Sequence, residues 1–270
     1  MIVHFDSAAE LLRTYRSNNC QRKVSYVGNS WYNNETEADT LRMTETGNTR
    51  LVPEAELLLS QLDSVIETPR LAWERAPAGA FCCVPDVLAG LPTPMRRQVH
   101  TNDERAPITI LIDTGSSGGI SAETLKKRGI VALALVMALS RVRPTTLYQL
   151  DVGSGPGDGT GETVLTTKIN TSPLDLATAC YLLTSAGFAR GLVYTLEERL
   201  NGNSGGWPKD YNYHGGPNVY YEKLKLRLGF DPIKTLIIPA SRLNDALLKD
   251  SLKWIEKQIR HFTEEEEEVT

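Results

Sequence analysis

The sequence is short of the features that mark most easily recognised classes. No apolar stretch is long enough to cross a bilayer; the longest, Ile130 to Leu139, stops well short of a membrane span. The first residues, MIVHFDSAAELL, have no basic start, and Asp6 and Glu10 stand where a signal peptide would be apolar. A protein that stays in the cytoplasm, away from membranes, is expected. There are 4 cysteines (Cys20, Cys82, Cys83 and Cys180) and none forms a Cys-x-x-Cys pair. Cys82 and Cys83 are adjacent, a poor geometry for a mutual disulfide, so free thiols in a reducing compartment are expected. The 4 histidines, at 4, 100, 214 and 261, are nowhere spaced as paired zinc ligands on one helix face. No Gly-x-x-x-x-Gly-Lys-Ser/Thr loop is present, so ATP hydrolysis would have to come from a partner. Excess charge is also lacking. The net charge is −4, of which Glu264 to Glu268 supply five negatives, leaving the body at +1. A near-neutral body does not carry the electrostatic footprint of a typical nucleic-acid-binding domain, although a local patch can suffice.

What is present is an α/β pattern. Ile108-Thr109-Ile110-Leu111-Ile112 is a β-branched apolar run of the kind buried in a parallel sheet. It ends in Asp113-Thr114-Gly115-Ser116-Ser117-Gly118-Gly119, and Ser121 opens a helix predicted to reach about Arg141. That helix is apolar nearly all round apart from Lys126-Lys127-Arg128, which reads as a solvated first turn or an anion contact. Two strands are predicted over 145–152 and 163–169, joined by the glycine-rich hairpin GSGPGDGTG. Helices are expected from Leu174 to Thr184 and from about Arg190 to Leu200, a strand over 234–239, and a closing amphipathic helix from Leu243 to Phe262. Upstream, residues 1–100 read as a mostly helical or irregular extension packed on the main domain. Helical spacing covers Phe5–Tyr15, a helix follows Pro53, and prolines and glycines break the chain after Pro69. The main domain spans 101–262, with an aromatic and basic loop at 201–227, and residues 263–270 are an acidic tail.

An apolar strand followed by Asp-Thr-Gly-Ser-Ser is the local signature of an aspartic protease. Two carboxylates must then share one proton, so a single copy would have to work as a dimer. Against this, the protease loop belongs to an all-β lobe, whereas some twenty helical residues follow here.

The order of elements, with Asp113 and Ser117 in the first loop and Thr171 (Ser172 being the rival) in NTSPLDLA, resembles the von Willebrand A-like family. The resemblance implies a Rossmann-like parallel sheet flanked by helices. It also implies a divalent-metal loop of the adhesion type, built from Asp113, Ser117 and Thr171. The loop departs from the family pattern at Gly115, and no aspartate follows the 234–239 strand. A degenerate site with no resident cofactor, or weak Mg²⁺ binding, is therefore expected. The stretches 79–95, 112–139 and 174–198 also resemble an uncharacterised family of tailed-phage proteins, a domain of unknown function. Those resemblances imply a non-enzymatic adaptor in the host cytoplasm, partnered with a MoxR-type AAA+ ATPase or a phage RNA polymerase. The chain is also similar in build to schitovirus activators that bind single-stranded DNA in middle transcription, with no residue motif behind that likeness. A virion structural or assembly protein is a further alternative.

Residues 207–227 interleave aromatics with cations: Trp207, Lys209, Tyr211, Tyr213, Tyr220, Tyr221, Lys223, Lys225 and Arg227. Exposed aromatics stack unpaired bases while cations follow phosphates, so this segment is the candidate single-stranded-DNA surface. The bland alternative is a long loop whose aromatics pack down on the body.

Overall fold

In the computed structural model, residues 1–17, 30–62, 71–100, 106–154, 162–201, 216–241 and 245–264 are described. A five-stranded, mostly parallel sheet organises them, in the order β1 (Ile2–Phe5), β7 (Glu162–Ile169), β6 (Thr145–Ser154), β5 (Ile108–Asp113), β8 (Thr235–Ile238). β6, β5 and β8 run parallel, β7 folds back antiparallel to β6, and β1 lies parallel to β7 at the edge. The apolar run of β5 is explained by its place, since helices cover both faces of the central strand. Ile108, Ile110 and Ile112 pack in one core with the long helix α5 (Ala122–Val142), while Leu111 packs beneath α8 (Gly216–Arg227) with Tyr221 and Leu224. The result is a Rossmann-like α/β domain.

α5 starts where the Ser121 hydroxyl accepts the Thr124 amide, and it is buried along most of its length. Gly129 makes that depth possible. A side chain there would collide with the Leu183 carbonyl and Thr184 of α6 (Leu176–Thr184), so the two helices touch through backbone. The triplet within α5 divides rather than forming one solvated turn. Lys127 is exposed, whereas the Arg128 side chain is only 3% exposed. Its guanidinium binds Asp245 at 3.0 Å, the Asp113 carbonyl at 3.0 Å and the Pro239 carbonyl, tying the ends of β5 and β8 together.

The N-terminal segment is more integral than an extension. β1 completes the main sheet, and α1 (Ala8–Ser17), α2 (Glu37–Thr46) and α3 (Val52–Ser60) pack into the same core as α5. The stretch read as irregular after Pro69 holds a second, antiparallel sheet in the order β2 (Leu71–Ala76), β4 (Met95–His100), β3 (Phe81–Cys82), with a short helix α4 (Val84–Leu88). Buried Asp86 of α4 is held by Arg75 at 3.1 Å and faces Arg96 at 3.9 Å. Beyond α6, residues Gly187–Val193 form a π-helical segment that continues into α7 (Tyr194–Asn201). The closing helix is broken in two, α9 (Ala246–Lys249) and α10 (Ser251–Glu264). Among the described residues no single helix is long and apolar enough to cross a membrane.

Candidate functional site

Strand order places a crevice over Asp113-Thr114-Gly115-Ser116-Ser117. From β5 the chain passes to β6 on one side, while β8 lies on the other, so the loop after β5 leaves the sheet where the winding reverses. Open α/β sheets place their ligand crevices at that point. The loops after β5 and β8 are zipped together. Ser241 donates its amide to the Gly115 carbonyl at 3.0 Å, and Ser117 returns an amide to the Ser241 carbonyl at 3.3 Å.

Asp113 anchors this joint from the α8 face of the sheet. Its carboxylate accepts the Gly115 amide at 2.8 Å and the Tyr221 hydroxyl at 2.6 Å, and that hydroxyl accepts the Ala240 amide at 3.1 Å. Full burial pushes the Asp113 carboxyl up to about 6, although Tyr221, Gly115 and Arg128 all favour its charged form. Both carboxylate oxygens are thus engaged in holding the loop.

On the opposite face lies a cleft of about 300 Å³. The 114–118 loop forms one wall, Asp151 and Gly153 of β6 another, and Trp31, Arg190, Tyr194 and Glu197 close it. Arg190 is set by the π-helical segment, a local geometry found often at functional sites. Its guanidinium donates to the Ser116 hydroxyl at 3.1 and 3.2 Å, to the Trp31 carbonyl at 3.1 Å and to the Ile120 carbonyl. It also lies 4.8 Å from the centre of the Trp31 ring. Glu197 crosses Gly153 so closely that any side chain on Gly153 would meet its carboxylate. Burial, reinforced by the nearby Asp113 charge, pushes Glu197 up to about 8. Asp151 is raised well above the carboxylate range by burial first, and then by Glu197 and Asp113.

The expected metal set does not assemble. Ile169 of β7 stands opposite Leu147, itself opposite Ile110, and Thr171 continues away from there. Thr171 therefore lies roughly 16 Å from Asp113 along the strand direction, at the other edge of the sheet. Ser117 does line the cleft, but the cation present beside its loop is Arg190. With Asp113 fully engaged and a guanidinium in place, these residues do not fit a divalent ion. Among the described residues no group of three or more His, Cys, Asp and Glu side chains could hold one.

The nucleic-acid reading also changes in its described part. Residues 216–227 are helix α8 rather than loop, and Tyr220, Tyr221 and Lys225 are buried, so they cannot stack bases or track phosphates. Tyr220 donates to Glu162 at 2.7 Å, and Lys225 bonds Glu222 at 2.7 Å. Arg227 pairs with Glu162, which leaves Lys223 exposed on the surface. Trp207, Lys209, Tyr211 and Tyr213 lie outside the described residues.

Sequence reasoning missed Trp31, Asp151, Arg190, Tyr194 and Glu197. One signal was legible: Gln149 and Asp151 alternate with Leu150 and Val152 inside a buried strand, an unusual place for an acid without a role. Gly115-Ser116-Ser117-Gly118-Gly119 also has the spacing of a hydrolase nucleophile elbow. Among the described residues no histidine lines the cleft, and none there stands beside Ser117 as the base that such an elbow normally serves.

Comparison with curated proteins and with solved structures gives no match. A family model described as a domain of unknown function, DUF7192, matches residues 1–226, which takes in the second sheet, the cleft and nearly all of α8. The chain therefore belongs to the DUF7192 family.

Proposed function

We propose that this chain is a non-enzymatic binding module of von Willebrand A-like build. It acts as an adaptor that offers the cleft above the 114–118 loop to a protein partner. The observation that carries this reading is the placement of a preformed recess at the sheet's reversal point, with its loop locked from behind. Asp113, Tyr221, Arg128 and the Ser241 bridge hold one wall, and Arg190 pins the other. Rigid walls around a concave site are what specific recognition needs, because little ordering remains to be done on binding. Asp113 is fully buried with both oxygens holding its own loop and α8, and among the described residues no second Asp-Thr-Gly carboxylate faces it, so its setting does not favour protease chemistry.

The partner class follows from the resemblance: a MoxR-type AAA+ ATPase or a phage RNA polymerase, met in the host cytoplasm. Single-stranded DNA has less to support it, since three of its nine candidate residues are buried and four lie outside the described residues.

The test blocks the cleft without disturbing its frame. Gly118 lines the cleft, has open space where a Cβ would stand, and lies outside the left-handed backbone region. Gly118→Trp should therefore fold normally and fill the entrance. The tagged parent should capture an ATPase or polymerase subunit from phage-infected cells, and Gly118→Trp should lose it. Equal capture by both would show that the adaptor works from some other surface.

A further inference from the structure

We infer that the Asp151–Glu197 wall of the cleft is a recognition site for one organic cation, an ammonium or guanidinium group carried on an apolar stem. The inference rests on the cleft being the functional recess and names the chemistry that enters it.

The two acids come from different elements, Asp151 from β6 and Glu197 from α7, and are 7% and 4% exposed. Neither makes an ion pair among the described residues, and Glu197 Oε1 has no hydrogen-bond partner there. A buried oxygen left without a donor carries a cost, which a ligand that brings an N–H would remove. Glu198, beside it on α7, likewise has an unpartnered buried Oε2. The other charged or titratable groups facing this wall are Arg190 from the π-helical segment, Tyr194 from α7 and, across the sheet edge, Asp113.

An anion is the weaker candidate. Among the described residues Arg190 is the one cation lining the cleft, and its guanidinium is occupied by Ser116, Trp31 and Ile120. The carboxyl lone pairs are what remain free. A bare metal ion fits poorly as well, because Asp113 is engaged and a cleft of about 300 Å³ with Trp31, Val152, Ala189 and Tyr194 on its walls suits a stem with several carbons. Burial, reinforced by Asp113 and, at Asp151, by Glu197, holds protons on both acids, so a cation that enters must displace one. The balance is one ligand cation bound, one carboxyl proton released to buffer, and one carboxylate–cation pair formed.

The chemistry is shared by a free alkylamine or alkylguanidine and by a partner's lysine or arginine side chain. Isothermal titration of the full chain with n-butylammonium, n-butylguanidinium and the blocked peptides acetyl-Gly-Lys-Gly-amide and acetyl-Gly-Arg-Gly-amide separates these sources. n-Butanesulfonate and MgCl₂ serve as controls. Binding should be about tenfold or more tighter at pH 8.5 than at pH 6. Paired buffers of different ionisation heat should report about one proton released near pH 7. Glu197→Gln should weaken binding about tenfold or more, with an unchanged circular dichroism spectrum, and Gly118→Trp should abolish it. If Glu197→Gln does not fold, Asp151→Asn carries the same expectation. Tighter binding of the peptides identifies a partner's side chain, and equal or weaker binding a free small cation. The inference fails if neither cation binds the parent at pH 8.5. It fails too if the carboxamide variants bind as well as the parent, or if sulfonate or Mg²⁺ is preferred. Should it fail while Gly118→Trp still loses the captured subunit, the adaptor reading stands and only the cation is withdrawn.

Discussion

Asp113 and the Asp151–Glu197 pair sit at the same edge of the same sheet, on opposite faces, and they have opposite histories. Asp113 is buried with every oxygen engaged: an amide from its own loop, a tyrosine hydroxyl from α8, and Arg128 on its carbonyl. Glu197 is buried almost as deeply, yet one oxygen meets no donor among the described residues. Burial depth alone therefore does not separate scaffold from site. The accounting of partners does, because a satisfied acid stabilises the loop whereas an unsatisfied one stores a cost that a donor from outside the chain would relieve.

The sharpest way to break the contrast is to strip the satisfied side. Arg128→Met should cost roughly 3–5 kcal/mol, since it leaves Asp245 without its buried counter-ion and frees two carbonyls. A urea denaturation midpoint close to the parent's would mean that the joint between β5 and β8 holds by other means. Tyr221→Phe removes a hydroxyl that both donates to Asp113 and accepts from Ala240, and should cost about 1–3 kcal/mol by the same measurement.

The unsatisfied side is probed by pH. Glu197 is raised from its ordinary value to about 8, so between roughly pH 4.5 and 8 the folded chain keeps a proton that the unfolded chain has lost. That stabilisation is complete below the ordinary carboxylate range and is lost as pH rises through about 8, with a slope of at most about 1.4 kcal/mol per pH unit for one proton. Asp113, raised to about 6, adds the same sign over a window that ends earlier. Unfolding midpoints should thus be higher at pH 5.5 than at pH 8.5, and Glu197→Gln should flatten the upper part of the profile. A rising profile would reverse the assignment of Glu197 as a protonated acid. The smallest effect is expected at Lys223, exposed on α8, where Lys223→Ala should change stability by less than about 0.5 kcal/mol.

Much of the frame was legible in the sequence because it is written in local patterns. The apolar β5, the capped and apolar α5 and the antiparallel strands β6 and β7 each carry their own local pattern, and they appear where expected. What could not be read was pairing across long separations. β1 looks like the lead-in to a helix until β7 is beside it, and nothing in Leu71 to His100 announces a three-stranded sheet among its prolines. The candidate site divides the same way. The Asp113 loop was visible as a motif, but its role was not, since its partner Tyr221 lies 108 residues on. Thr171 was assigned by order along the chain, and the antiparallel turn of β7 carries it to the far edge. Tyr220, Tyr221 and Lys225 read as an exposed comb because α8 is amphipathic only in the context of the sheet that it covers.

The pairing of β1 with β7 also bears on how the chain is made. Residues 2–5 are made about 160 residues ahead of their partners, residues 164–167. At synthesis rates of about 5–20 residues per second, the first strand waits roughly 8–30 s before its neighbour exists. β5 and β6 themselves appear only late in that interval, so β1 and the helices behind it remain without their seat for nearly all of it. This edge of the sheet is thus written before its other strands and closed late, so a nascent chain stalled before Glu162 would present an incomplete sheet to chaperones and to other stalled copies.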